Sequence, residues 1–480
     1  MISAMKNFLC FFRLAVLTAG IAVVAHSAEE PAVTAVGAIN WDCSVPSSTF
    51  FGGYQTRSLS PGIYRHMTPF YADVLGPDKI DYHWRTQAEF DRELQFAIDA
   101  GIDYFAYCWY GEDPAAVRKP LVTSGAACVD NVLHEITWAR RMHMKSALRA
   151  KLKLCAILVG IHPYTDGELE NLVRTMKEDC YQKALGRPLL YMFADRGGIL
   201  ARVRQACRRL GVDSPYAVAM YGGLNHPRTG DAAIDALSAY APHGYGYAAY
   251  NELMDAVLEK NAFRCRDGWA TIPQFTTGKD HSPRIDSPVP WCDNPPRRYP
   301  RPATGEEIIS GARRLRDWIS LNRASCPTGH IITFAWNEFE EGGWICPTWT
   351  PDGPDTTRVK AFAEAARILK SAPTALSAPV KDAGAFLALV DTGIARDFRQ
   401  VSYWRSERGP VIVMRSIETL PTAWGGTTNT WRVIAEARRR VRKAGFGELY
   451  LHGQGAPSVD RTLLRDLGFD SIDGAGASLK

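Results

Sequence analysis

Three carboxylates, Glu338, Glu340 and Glu341, fall within four residues of the stretch "HIITFAWNEFEEGGWICPT", directly after the β-forming run His330–Trp336. Hydrolysis of a glycosidic bond near neutral pH uses two carboxyl groups, one able to give a proton and one ionised. Crowding carboxylates drives their affinities for a proton apart and creates that division of labour. Glu338 and Glu341 are three residues apart and share a face if the chain turns helically after the strand. Glu338 and Glu340 share a face only if the strand continues. The pair Gly342-Gly343 directly after favours the turn, and so selects Glu338 and Glu341. The bland alternative is that one or more of the three point into solvent or cap a helix.

The elements that must position these acids alternate in type. Strands are predicted over Ala35–Cys43, Ile102–Tyr110, Leu152–Gly160, Pro188–Asp195, Pro215–Gly222, Ile234–Pro242, Thr271–Thr277 and His330–Trp336. Most are continuous apolar runs without alternation, as in parallel strands covered on both faces. Helical stretches fall between most of them. One is announced by Thr86 with Glu89 three residues on and closed by Gly101; another begins at Thr304. Eight such strands predict an α/β fold, a (β/α)8 TIM-type barrel, with a doubly wound open sheet as the alternative.

In a barrel the C-terminal strand ends form the active face. That rule gathers Trp41, Asp42, Trp109, Tyr110, Tyr221, His243, Tyr245, Asp280, Trp336, Asn337 and Glu338 around one mouth. Aromatic rings there, Trp41, Trp109 and Tyr110 among them, could stack on sugar rings, with core packing as the competing role, and Trp336 is expected to contact substrate as well. Asn337 is expected to hydrogen-bond a sugar hydroxyl, and Tyr221 and Tyr245 to line the pocket. His243 reads either as a structural histidine or as a partner of sugar hydroxyls. Asp280 with Arg284 reads as an ion pair fixing a loop before it reads as a substrate contact. No His, Asp or Glu grouping has metal-ligand spacing, and no Gly-rich phosphate loop follows the first strand. No metal and no cofactor are expected.

The 480 residues carry 56 basic and 51 acidic side chains, a net charge of +5, which does not point to nucleic acid. Lys6 and Arg13 precede the apolar run Leu14–Ala25, and Ala25-His26-Ser27 offers small residues for cleavage. Residues 1–27 therefore read as a signal peptide, giving a secreted or periplasmic protein with no membrane partner after cleavage. Of the eleven cysteines, ten lie beyond the signal. Some disulfides fit an oxidising compartment, although Cys108 and Cys155 in predicted strands suit free buried thiols.

The barrel is assigned to residues 33–370 and a Pro-rich linker, "SAPTALSAP", to 371–379. A C-terminal α/β accessory module takes 380–480, beginning with a strand at "AFLALVD", Ala385–Asp391. The module reads either as a degenerate partial repeat of the barrel or as βα units of like composition. No cluster of carboxylates follows any of its strands. The sequence leaves the oligomeric state open.

"AWNEFEEGGW" resembles the Trp-Asn-Glu-Trp-x-Glu-Gly signature of glycoside hydrolase family 99 and the related WbsX-type family-99-like proteins. "RTQAEFDRELQFAIDAGIDYFAYCWYG" resembles the second-strand segment of that group, and "TTGKDHSPRIDSPVPW" the loop after its seventh strand. The resemblance spans roughly Val33 to Lys370, in matching order. It implies a retaining, endo-α-mannosidase-like hydrolase acting on a carbohydrate. Glu338 is then the base acting on the substrate's 2-hydroxyl, and Glu341 the general acid/base. Phe339 stands where the family has Trp, and Glu340 where it usually has His. A family-99-like glycosyltransferase and a non-catalytic carbohydrate-binding barrel are the alternative readings.

Overall fold

The computed structural model describes residues 31–41, 50–81, 83–84, 86–109, 138–159, 164–193, 198–220, 234–242, 249–265, 268–280, 283, 302–372, 376–379, 382–398, 406, 408–415, 417, 420–454 and 461–472. The expected signal segment lies outside them. The chain divides into two compact units, one over Glu30–Ala372 and one over Pro373–Asp473.

The first unit is a (β/α)8 barrel. Its strands are β1 (Ala35–Asn40), β2 (Tyr104–Trp109), β3 (Lys153–Leu158), β4 (Arg187–Met192), β5 (Tyr216–Ala219) and β6 (Ala236–Leu237). They continue with β7, in two pieces (Ala270–Thr271 and Gln274–Thr276), and β8 (His330–Phe334). Each pairs in parallel with the next, and β1 pairs with β8. Closure runs through β7. Its first piece pairs with β6 and its second with β8. The hand-over falls at Pro273, which has no N–H to contribute to a ladder. The flanking bonds carry the barrel across the break: Ile272 N–H donates to Leu237 O at 3.0 Å, and Ile332 N–H to Pro273 O at 3.0 Å.

The strands are buried almost throughout because the barrel interior covers one face and helices the other. Tyr104 lies inside the barrel, its hydroxyl 2.9 Å from that of Tyr191 and donating to Ile331 O at 2.9 Å. Gly37 makes room for it: a Cβ there would sit 2.2 Å from Tyr104 Cζ. The helix Gln87–Asp99 starts at Thr86 with the full capping box to Glu89, and Gly101 (φ 76°) follows its last turn. Thr165 with Glu168 and Thr304 with Glu307 repeat the device. Between β1 and that first capped helix lies an insertion holding a helix, α1 (Phe50–Leu59), and a 3-10 turn, Gly62–Met67.

The second unit is a four-stranded parallel sheet in sequence order: Leu376–Pro379, Val411–Arg415, Tyr450–Gln454 and Ser471–Ile472. Two sequence expectations fail here together. "AFLALVD" belongs to a helix, Ala383–Thr392, and the first strand lies earlier, inside the stretch read as linker. The helix wins because Asp382 caps it, accepting from Ala385 N–H at 2.8 Å, and because Phe386, Leu389 and Val390 bury one side at helical spacing.

The described cysteines, Cys108, Cys155, Cys180, Cys207, Cys265, Cys326 and Cys346, are all buried and none is in a disulfide, as expected for Cys108 and Cys155, while Cys43, Cys128 and Cys292 lie outside the described residues. Burial holds the thiols of Cys155, Cys326 and Cys346 well above their usual range, so they behave as small core hydrophobes. Among the described residues, no helix is long and apolar enough to cross a membrane.

Candidate active site

The chain turns after Glu338, as Gly342-Gly343 suggests. Asn337–Glu338 and Gly343–Trp344 form a two-rung antiparallel hairpin, and Phe339–Glu341 is a 3-10 turn between them. Gly342 (φ 74°) closes the turn in a left-handed conformation that a side chain would strain. Its surroundings exclude one as well, since a Cβ would lie 2.3 Å from Asp280 O. Asp280 N–H donates to Gly342 O at 2.7 Å, which ties the loop after β7 to the acidic turn.

The turn sends the three acids to different neighbours. Glu340, 1 % exposed, faces α1: Gln55 Nε2 donates to its Oε1 at 3.3 Å, and Ser58 Oγ lies 3.5 Å from its Oε2. Glu338, 2 % exposed, accepts a short hydrogen bond at Oε1 from the Tyr240 hydroxyl. That hydroxyl lies 3.2 Å from Cys108 Sγ at the end of β2. Glu341 is a quarter exposed, with Lys279 Nζ 3.6 Å from its Oε2. The Lys279 ammonium also sits 4.8 Å above the Phe334 ring. Two acids therefore bear on groups at the strand ends, and the third anchors the turn.

Asp280 Oδ2 lies 2.6 Å from Nε2 of His66, which comes from the insertion after β1. This hydrogen bond is the main reason the His66 ring is pushed above its ordinary value of 6.5, and burial opposes it. Beneath them Arg358 lies over the Trp344 ring at 4.5 Å. It donates to Trp344 O, Ala303 O and Thr277 O at 2.9, 3.2 and 2.8 Å. Burial lowers this guanidinium to about 10. It fastens the hairpin's second strand to the end of β7.

Several expected substrate contacts are used internally. Trp336 is fully buried, and its indole N–H donates to Glu93 Oε1 at 2.6 Å, while Trp84 donates to the other oxygen. It is a core residue, which corrects its assignment as a substrate contact. A ring at a strand end can point inward or outward, and here a buried carboxylate draws it inward. Asn337 Oδ1 accepts from Trp41 N–H at 2.7 Å, and its Nδ2 donates to Trp41 O at 2.8 Å and Asn40 Oδ1 at 3.3 Å. Its amide clamps the end of β1, in place of the expected sugar hydroxyl. Trp41 is buried there, and Arg140 covers the Trp109 ring at 3.9 Å. Asp42, Tyr110, Tyr221, His243, Tyr245 and Arg284 lie outside the described residues.

Sequence reading missed Tyr240, Lys279 and His66. Tyr240 had a signal, as the last tyrosine before Pro242 in a predicted strand. Lys279 stands next to Asp280, which was named. His66 lies in an insertion with no strand or motif beside it, and carries no such signal.

No family model matches the sequence, and no curated protein matches it. Among solved structures, the fold is similar to the family 99 endo-α-mannosidase from Bacteroides thetaiotaomicron, at 13 % identity and a TM-score of 0.41, covering 70 % of this chain and 97 % of that one. A family 5 glycoside hydrolase from Streptomyces cattleya matches at 12 % identity and a TM-score of 0.36, covering 81 % and 94 %. An exo-β-1,4-mannosidase from an Opitutaceae bacterium matches at 11 % and 0.33, covering 92 % and 81 %. The barrel stands on its own strand pairing, and the chemistry on the side chains at its mouth.

Proposed function

We propose that the chain is a glycoside hydrolase that cleaves a polysaccharide or glycan with the carboxyl pair Glu338 and Glu341. The observation that carries this reading is the turn at Phe339–Glu341. It separates the two acids from Glu340 and gives each a polar neighbour at the barrel mouth, Tyr240 for Glu338 and Lys279 for Glu341. Two carboxyl groups in unlike surroundings are what acid–base cleavage of a glycosidic bond requires. Under this reading residues 1–27 direct export, and the substrate is met outside the cytoplasm. The likeness of "AWNEFEEGGW" to the family 99 signature puts α-mannosides first among the substrates to try.

The test is a reducing-sugar assay on a glycan panel headed by mannans, with nucleotide-sugar hydrolysis as the control. Release of reducing ends that disappears in both Glu338→Gln and Glu341→Gln supports the proposal. Turnover of a nucleotide sugar without glycan cleavage would replace it with a transferase. Binding without any turnover would replace it with a carbohydrate-binding barrel.

A further inference from the structure

Glu93, on the helix Gln87–Asp99, is fully buried, and each of its carboxyl oxygens takes an indole N–H. Trp336 donates to Oε1 at 2.6 Å, and Trp84 to Oε2. Both rings are buried, and they lead to different parts of the barrel mouth. Trp84 lies at the end of the insertion after β1, its ring centre 5.1 Å from that of Tyr71. Trp336 stands at the root of the acidic hairpin. Its backbone N–H donates to Ile39 O at 2.8 Å, and its carbonyl accepts from the N–H groups of Ile345 and Cys346 at 3.0 Å each. Asn337, next in the chain, clamps Trp41. Trp336 therefore joins the end of β1, the first strand of the hairpin and the segment that leaves it, and its side chain is held by Glu93.

A buried indole N–H without an acceptor costs free energy, so the two bonds hold both rings in place. A carboxyl group offers an oxygen to each ring. An amide of the same shape would turn its NH2 group on one of them, and leucine would accept from neither.

We propose that Glu93 is a positioning residue for the carboxyl pair: through the Trp336 indole it fixes the point at which the hairpin carrying Glu338 and Glu341 leaves the barrel. This rests on the glycosidase reading above. The bond to Trp84 serves the insertion, and only the bond to Trp336 bears on the acids. A misplacement of a reacting group by about 1 Å can cost about a hundredfold in rate. An effect of this kind falls on kcat, because substrate binding does not depend on the aim of the acids.

The test compares Trp336→Phe, Trp84→Phe, Glu93→Leu and the double variant Glu93→Gln/Trp84→Phe, all in the full chain and at a temperature where each is folded. The two Trp variants lose the same side-chain volume and one N–H each, so both should melt earlier. Trp336→Phe should lower kcat on a glycan about tenfold or more, with KM within about twofold of wild type. Trp84→Phe should keep kcat within about threefold of wild type. Glu93→Leu should match Trp336→Phe. The double variant should match Trp84→Phe, because its amide keeps one acceptor and only Trp336 remains to use it. Both Glu93 variants lack the charge, so the difference between them reports the bond to Trp336. Hydrogen exchange at the Ile345 and Cys346 amides gives a readout without turnover: it should quicken in Trp336→Phe and Glu93→Leu and hold in the other two. Equal kcat in the two Trp variants, a kcat that follows melting temperature through the whole set, unmoved exchange in Trp336→Phe, or a double variant as slow as folded Glu93→Leu overturns the proposal. If Glu93→Leu does not fold, the two Trp variants decide. If the exchange pattern is found but wild type cleaves no glycan, the positioning by Glu93 survives and the glycosidase reading falls.

Discussion

The barrel and the C-terminal unit are both built from parallel strands joined by helices, yet they use charge differently. In the C-terminal unit the buried carboxylate Asp470 is matched at once: Arg438 donates to it at 2.7 Å and Leu451 N–H at 2.9 Å. On the outside of the helix Thr427–Lys443, Arg439 and then Arg440 hold the Glu436 carboxyl down to about 2. These are structural pairs. At the barrel mouth, Glu338 and Glu341 instead face a phenol and a lysine from the segments that follow β6 and β7. A parallel sheet therefore does not make an acidic site by itself. In the barrel the difference comes from a hairpin added after the last strand, whose turn gives adjacent acids different neighbours.

The comparison breaks most directly at the acids. Glu338→Gln and Glu341→Gln should each lower glycan turnover by about two orders of magnitude or more, with circular dichroism unchanged, because the amide matches the shape of the acid. Glu340→Gln should cost far less turnover, since its carboxyl faces Gln55 and Ser58. An inactive Glu340→Gln beside a normal Glu341→Gln would mean that the turn does not set the pair.

The C-terminal unit offers the converse. Asp470→Ala removes a buried partner of Arg438 and should destabilise that unit by about 3 kcal/mol in chemical denaturation. Turnover at temperatures where the protein remains folded should be unchanged. A loss of turnover in the folded protein would erase the distinction between the two regions.

Tyr240→Phe removes the hydroxyl at Glu338 and should slow turnover about tenfold, the scale of one hydrogen bond to a charged or transferring group. The kinetic split matters: kcat should fall while KM holds if the phenol serves Glu338 and not the substrate.

The smallest effect concerns His66. Its ring is raised above 6.5 by Asp280, so the pair stabilises the fold fully below the unfolded value and the contribution is lost as pH rises through the folded one. His66 is half exposed, which keeps the effect small. The melting-temperature gap between wild type and His66→Ala should be wider near pH 5.5 than near pH 8.5. An equal gap at both would show that the pair is held by geometry and not by charge.

The sequence by itself determined the barrel and its turn. All eight strands are legible, most of them as continuous apolar runs, because a strand buried on both faces has no polar side to display. Thr86 with Glu89, and Thr304, mark helix starts because a cap is a local bond between residues three apart. Gly342-Gly343 foretold the turn because a left-handed residue is nearly a property of glycine alone. Where local signals conflict, reading failed: "AFLALVD" is apolar enough for either a strand or a helix, and only the cap at Asp382 and the core beneath Phe386 decide it.

The tertiary structure alone decided which side chains meet. Tyr240 and Glu338 are 98 residues apart in the chain, and His66 and Asp280 are 214 apart. Trp336 turns to Glu93 across 243 residues, away from any ligand. The first follows from closing the sheet, which brings the ends of β6 and β8 to one rim, and the other two from the insertion after β1 and the helix Gln87–Asp99. Side-chain type is local information, but the partner that gives a carboxyl group its charge or its proton is a matter of distance in space.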